Sequence, residues 1–219
     1  MKIKKIGHCC LVIEIATANG LVRLMTDPGV YSKGQTEEKN IDAVFITHEH
    51  SDHFHIDSVR GIIANNPQTR VFTNTAVGKL LEKEGIPFQL LENGAQIDIK
   101  GVLIGSKDEQ HAEIYRELPR VQNTGYFIFD PAEQTFFYPG DTFMLPGQRV
   151  DILALPVSAP WMKVSESIDY ALAVKPRVAF PVHDAILSNP EMGSFAPKMF
   201  LPKHGIEFVV IPVGGEATF

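Results

Sequence analysis

Apolar residues along this chain fall in short runs rich in Val, Ile and Phe, set apart by Gly, Pro and Asn, a pattern that predicts many strands and few helices. The expected strands are Lys2–Ile6, Cys9–Ile15, Leu21–Thr26, Ile41–Thr47, Arg70–Thr73, Phe88–Leu91, Gln96–Ile99 and Val102–Ser106. Gly125–Phe129, Thr135–Tyr138, Ile152–Leu155, Arg177–Pro181 and Glu207–Ile211 complete the set. Asn19-Gly20, between two such runs, predicts a tight turn. Helical spacing is confined to Ile56–Asn65, Thr75–Glu84, Ser165–Val174 and Pro197–His204. In the third of these, Ser165 supplies a cap, Ile168, Ala171, Leu172 and Ala173 an apolar face, and Lys175-Pro176 the stop. Clustered strands, then helix, then strands again predict two β-rich halves with helices packed outside. That is an α/β protein built as a four-layer αββα sandwich rather than a doubly wound parallel sheet.

The chain's 219 residues suit a single domain, residues 1–219, large enough to bury about 70% of its unfolded surface without disulfides or metals. Twenty Lys and Arg against 26 Asp and Glu give a net charge of −6, and no basic block stands out. This argues against nucleic acid or an anionic membrane as partner. An anionic small molecule stays open, because bound cations can supply positive charge locally. No apolar run approaches the ~18 residues of a membrane helix. Lys2, Lys4 and Lys5 precede an apolar stretch and Ala16-Thr17-Ala18 has the look of a processing site. His8 and Glu14 break that stretch, however, so it is read as a strand. Cys9 and Cys10 are adjacent, so they can staple no loop and form no CxxC site; both are expected as buried small side chains in a reducing, cytoplasmic compartment.

The chemistry concentrates in Thr47-His48-Glu49-His50-Ser51-Asp52-His53, directly after an apolar run. On extended chain His48 and His50 point the same way, because side chains alternate with period two, and can share one cation. Once the chain turns, Asp52 and His53 can address a second cation close by. Glu49 suggests the HExxH metalloprotease motif, but that motif needs a His where Asp52 stands.

These residues resemble the HxHxDH signature of the metallo-β-lactamase superfamily of dinuclear hydrolases, and further motifs carry the resemblance from about Ile6 to Pro212. Thr26-Asp27-Pro28-Gly29 is similar to the first motif, His111 to the lone His of the third, Tyr138-Pro139-Gly140-Asp141-Thr142 to the Gly-Asp motif, and Phe180-Pro181-Val182-His183-Asp184 to the last. Gly7-His8 and Ala159-Pro160-Trp161-Met162 resemble the subgroup that includes ascorbate-6-phosphate lactonase. The resemblance implies one metal held by His48, His50 and His111, a second by Asp52, His53 and His183, and Asp141 between them. Asp52 and Asp141 are the carboxylates it assigns to catalysis. It implies two divalent cations, zinc foremost and manganese or iron as alternatives, because five imidazoles and two carboxylates suit all three. It further implies a metal-bridging hydroxide acting on a small-molecule ester, lactone or phosphodiester. A redox role, as in di-iron flavoproteins of this fold, would need a carboxylate where His50 stands.

Several positions carry two readings. Asp27 either orients a liganding His or simply turns the chain. Asp184 does similar work or faces solvent, and His8 reaches the rim of the site or serves its strand. Trp161 and Lys163 either line a substrate pocket from a loop or pack on the surface. Arg116 and Arg120 are candidates for an anionic substrate. His55 and His204 are expected to be structural, His204 as a helix C-terminal cation. A metal-loaded but non-catalytic module is the alternative from a different class, and a closed, fully coordinated site would mark it.

Overall fold

A computed structural model describes residues 1–219. Its N-terminal half runs β1 (Lys2–Gly7), β2 (Cys10–Thr17), β3 (Gly20–Thr26), β4 (Ala43–Phe45), α1 (Ile56–Asn65), β5 (Arg70–Thr73), α2 (Thr75–Lys83) and β6 (Gln89–Leu90). The second half runs β7 (Gln96–Ile99), β8 (Val102–Gln110), β9 (Gln122–Phe129), β10 (Thr135–Tyr138), β11 (Ile152–Pro156), α3 (Val164–Val174), β12 (Val178–Val182), α4 (Glu191–Phe200), β13 (Glu207–Phe208) and β14 (Glu216–Thr218).

The strands form two seven-stranded sheets, ordered β14-β1-β2-β3-β4-β5-β6 and β13-β12-β11-β10-β9-β8-β7. Both follow one plan. In the first, β14, β1, β2 and β3 pair antiparallel, and β3 to β6 pair parallel. In the second, β7 to β10 pair antiparallel, and β10 to β13 parallel. The inner faces meet in the largest apolar cluster, which includes Leu11, Ile13, Phe45, Phe72, Tyr126, Phe136 and Phe180. On the outside, Val59, Ile62, Val77 and Leu81 of α1 and α2 pack against Val12, Met25 and Val44. Tyr170 and Ala171 of α3 pack with Leu201 against Phe127, Phe137 and Leu153. This is the four-layer αββα sandwich of the metallo-β-lactamase fold. Cys9 enters the inter-sheet core and Cys10 the helix-facing one, as alternation on a strand requires, and both thiols are free.

The structure corrects the pattern in several places. The fourth helix begins at Glu191, not at Pro197; Asn189 Oδ1 accepts the Glu191 N–H, and Pro197 sits inside the helix above Gly193. Residues Leu201–His204 form a separate 3-10 turn, with His204 at its end. Helix α3 starts one residue before Ser165, and it is the Glu166 carboxylate that accepts the N–H of Lys163 at 2.6 Å. The Asn19-Gly20 turn is a two-residue loop of Ala18 and Asn19, with Gly20 pairing to Thr17 at a φ of +106°. The edge strand β14 had no predicted counterpart.

This topology sets the functional edge. β1 runs parallel to β3, and β8 to β10, because two antiparallel steps separate each pair. His8, Asp27, the His48–His53 segment, His111, Asp141 and His183 therefore all follow the carboxyl ends of strands that run one way. Loops beyond those ends are the usual binding crevice of such sheets.

Candidate metal centre

Two sets of ligand atoms, each within 4.8 Å of one another, lie side by side: His48, His50 and His111 in one, and Asp52, His53, His183 and His8 in the other. Asp141 sits between them. Its Oδ1 is 3.1 Å from His53 Nε2, and its Oδ2 is 3.3 Å from His111 Nε2 and 3.0 Å from His183 Nε2. Asp52 Oδ2 lies 3.4 Å from His183 Nε2 and 3.3 Å from His8 Nε2. Four buried atoms here, His53 Nε2, His111 Nε2, His183 Nε2 and Asp141 Oδ1, have no hydrogen-bond partner despite these short distances. Buried polar groups are rarely left so, and converging lone pairs without donors are what a bound cation satisfies.

Four of the imidazoles are held through Nδ1. His53 Nδ1–H donates to Asp27 Oδ2 at 2.7 Å, His111 Nδ1–H to the Ala112 carbonyl and His183 Nδ1–H to the Ser158 carbonyl, both at 2.6 Å. The Thr47 hydroxyl donates to Asp27 Oδ2 at 2.7 Å and accepts from His48 Nδ1 at 2.9 Å. These bonds leave Nε2 of His53, His111 and His183 turned to the centre without a partner, while His48 Nε2 lies 3.1 Å from His50 Nδ1. Asp27 thus orients His53 directly and His48 through Thr47. It is fully buried and also accepts from the Thr47 N–H and the Tyr138 hydroxyl. Both expected features meet here: the Asp27 carbonyl accepts the Gly29 N–H at 2.8 Å at a φ of +33° where the chain turns, and its carboxylate meets His53 and Thr47.

His8 differs from the rest. Its Nδ1 accepts the Ala185 N–H at 3.2 Å, so the neutral ring carries its proton on Nε2 and donates toward Asp52. A ring in that state holds Asp52 in place and offers no lone pair to a cation. It lies fully buried behind Asp52 rather than at the rim. Asp184 faces no solvent either: it pairs with Lys5 Nζ at 2.5 Å, and that buried ammonium also donates to the Pro181 carbonyl. Lys5, Tyr138 and Asn123 carried no sequence signal of such roles. Asn123 Oδ1 accepts the Asp141 N–H at 3.0 Å, and its amide donates to the Pro139 carbonyl at 2.8 Å. Gly140 is required beside it, since a Cβ there would fall 2.2 Å from Asn123 Oδ1. At Gly29 a Cβ would come 1.8 Å from the Asp52 carbonyl oxygen, which explains the glycine of the Thr26-Asp27-Pro28-Gly29 motif.

Trp161 lines the mouth, and its Nε1–H donates to Asp141 Oδ2 at 2.9 Å. Lys163 does not: it is exposed, stands at the start of α3 and lines no part of that mouth. Arg116 is exposed beside Glu117, and Arg120 donates to the carbonyls of His111 and Gln110, so neither is directed at the centre. His55 caps α1 from the surface, its ring against Ser58.

Charge in the centre is tightly coupled. Burial opposes ionisation of Asp141, but the facing His53 and His183 outweigh it and hold this carboxyl well below the usual range. The neighbouring His183 and His8 do the same for Asp52 against its own burial. Burial would lower His183, yet Asp141 lifts it to about 9, and Asp141 and Asp27 likewise raise His53. Burial pushes His48 down, and it pushes His8 to about 4. Protons on His53 and His183 thus stand where cations would neutralise the two carboxylates. Backbone strain gathers here as well. His8, Asp27 and His183 hold φ of +46°, +33° and +59°, a conformation costing about 1–3 kcal/mol per residue unless the surroundings impose it.

Residues 2–183 match the family model of the beta-lactamase superfamily domain. The chain belongs to that superfamily. Protein Rv0786c of Mycobacterium tuberculosis is 31% identical over the whole of both chains. A UPF0173 metal-dependent hydrolase of Thermoplasma acidophilum is 26% identical, covering 84% of this chain and 85% of its own. Among solved structures, the metallo hydrolase Igni18 of Ignicoccus hospitalis superposes with a TM-score of 0.76 at 18% identity, covering 100% of this chain and 97% of its own. An isothiocyanate hydrolase from Delia radicum gut bacteria gives 0.74 at 16% identity, covering 100% and 99%. These structural likenesses speak for the fold. No helix is long and apolar enough to cross a membrane.

Proposed function

We propose that this protein is a metal-dependent hydrolase with a dinuclear centre, one cation held by His48, His50 and His111 and the other by Asp52, His53 and His183, with Asp141 shared between them. The observation that carries this reading is the convergence of three imidazole Nε2 atoms and one Asp141 oxygen, all buried and all without partners, between two ligand-spaced clusters. The donor set suits zinc and also accommodates manganese or iron. When bound, such cations supply Lewis acidity and allow water to ionise near neutral pH. The chain's own part is positional: Trp161 and Asn123 hold Asp141, His8 holds Asp52, and Asp27 sets the two histidines that face each cluster.

An open mouth favours catalysis over a structural metal. A cleft of about 340 Å³, lined by His50, Asp52, His111, Asp141, His183 and Trp161 among others, gives a small molecule access to the ligand atoms. Esters, lactones and phosphodiesters are the substrate classes this chemistry serves, and the Gly7-His8 and Ala159–Met162 resemblance favours a lactone. Buried free thiols fit a reducing compartment. The test is metal analysis coupled to activity: purified protein is expected to carry two equivalents of transition metal and to hydrolyse members of a panel of lactones, esters and phosphodiesters. His50→Ala and Asp141→Ala are expected to lose metal and turnover together. Turnover that survives either change refutes the mechanism.

A further inference from the structure

Helix α4 turns one side to the protein and leaves the other bare. Gly193, Ser194 and Pro197 form its buried side. A Cβ at Gly193 would fall 2.9 Å from Val157 Cγ2, so glycine lets the helix sit down just beyond β11. The opposite side carries Met192, Phe195 and Met199, which are 65%, 62% and 44% exposed. Spacing of i, i+3 and i+7 puts all three in one row along the helix. Met192 also lines the apolar cleft between α3 and α4, with Met162, Val164 and Leu187, so the bare surface continues into that cleft. Large apolar side chains exposed singly are ordinary, whereas a contiguous row of them marks an interaction surface.

The charges beside the row say what covers it. Glu191 lies in the first turn of α4 and Lys198 in the last, and both are exposed. Seven residues are almost two full turns, so these two charges share one flank of the row. The row is thereby its own complement when turned end for end. A two-fold axis that lays α4 antiparallel on its copy can exchange Met192 with Met199, and Phe195 then meets Phe195 of the second copy. Such an axis keeps each flank on its own side. It sets Glu191 of one copy within about 3 Å, measured along the helix, of Lys198 of the other, and forms the reciprocal pair as well. A parallel arrangement would instead bring like-charged ends level with each other. One acid and one base on the flank, in a chain of net charge −6, do not suit an anionic lipid surface.

We propose that this face joins two copies of the chain in an isologous dimer, α4 antiparallel to α4, with Phe195 at the centre and a Glu191–Lys198 pair on either side. The contact is independent of the reaction at the metal centre. Ten residues of helix span about 15 Å, so the interface is small and a Kd in the micromolar range is expected.

The experiment follows the intact chain by sedimentation equilibrium from about 1 to about 500 µM, where a monomer–dimer equilibrium is expected. Phe195→Asp is expected to weaken association at least ~30-fold. Glu191→Lys and Lys198→Glu are each expected to weaken it about tenfold, and the two changes together to restore it, because the swapped pair attracts again. Phe195→Cys is expected to cross-link between copies on oxidation, and Met192→Cys is not, since the two-fold holds the two 192 positions about 10 Å apart along the helix. Cys9 and Cys10 are buried and do not compete. All these positions are exposed, so the variants are expected to keep the fold, read by melting dilute protein. A chain still monomeric at the highest concentration overturns the proposal. So does a dimer that survives Phe195→Asp, or reversed charges whose combination fails to restore association. Binding to phosphatidylcholine vesicles that Phe195→Asp abolishes, with the protein monomeric in solution, assigns the face to lipid and refutes the dimer.

Discussion

Replacing Asp27 by Asn tests whether one buried carboxylate organises both ligand clusters. Asp27 accepts four hydrogen bonds, from the Thr47 N–H, the Thr47 hydroxyl, the Tyr138 hydroxyl and His53 Nδ1–H. Asparagine keeps one carbonyl oxygen, which can serve the Thr47 N–H, and presents an amide donor to the other three. The hydroxyls of Thr47 and Tyr138 can rotate to accept. His53 cannot without moving its proton to Nε2, and that proton occupies the lone pair aimed at Asp141 and the centre. Substitutions of such supporting groups typically weaken metal binding 10–100-fold, about 1.4–2.7 kcal/mol. Loss of a hydrogen bond to a charged acceptor adds roughly 1.5–3 kcal/mol of destabilisation. The assay is zinc affinity by chelator competition, alongside a melt of the metal-free protein. Tyr138→Phe, which removes one donor and leaves His53 untouched, is expected to cost stability with less than about a threefold change in affinity. Asp27→Asn protein that folds and binds zinc within twofold of the parent refutes the reasoning.

Three further outcomes follow from the same geometry. The metal-free protein is expected to lose stability as pH rises. His183, raised from 6.5 to about 9, contributes stability that is complete below pH 6.5 and lost as pH climbs through 9, to a ceiling of about 3 kcal/mol. His53 shifts the same way, so the melting temperature should fall over that window in metal-free protein and stay level once metal has displaced the protons; a rising metal-free curve contradicts this. Lys5→Met leaves the buried Asp184 carboxylate unpaired, at a cost of about 3–5 kcal/mol and roughly 10 °C in melting temperature, and Lys5→Met with Asp184→Leu is expected to recover most of it. Gly29→Ala, whose Cβ would lie 1.8 Å from the Asp52 carbonyl, is expected to shift that backbone and reduce metal binding at least tenfold, read by metal content after dialysis.

What the sequence determined by itself was local. Alternation along an extended chain placed His48 and His50 on one side before any coordinates, and each of the thirteen expected runs lies in or overlaps a strand, because short-range periodicity records which face is buried. Motif likeness marked His111, Asp141 and His183, but their meeting needed β8, β10 and β12 to point their carboxyl ends at one edge, and pairing order is a long-range property. Asp27 was ambiguous for the same reason: a turn aspartate and one that meets a histidine read alike until the partners arrive from Thr47, His53 and Tyr138. Lys5 was noticed only as part of the basic start of the chain, because an ammonium on a strand reads as exposed until a carboxylate from residue 184 is folded against it. Strand β14 escaped because its Glu-Ala-Thr has little apolar content and is held by main-chain pairing to β1. Trp161 and Lys163, equal candidates on a loop, were separated only by the start of α3, which turns the lysine to solvent and leaves the indole on Asp141.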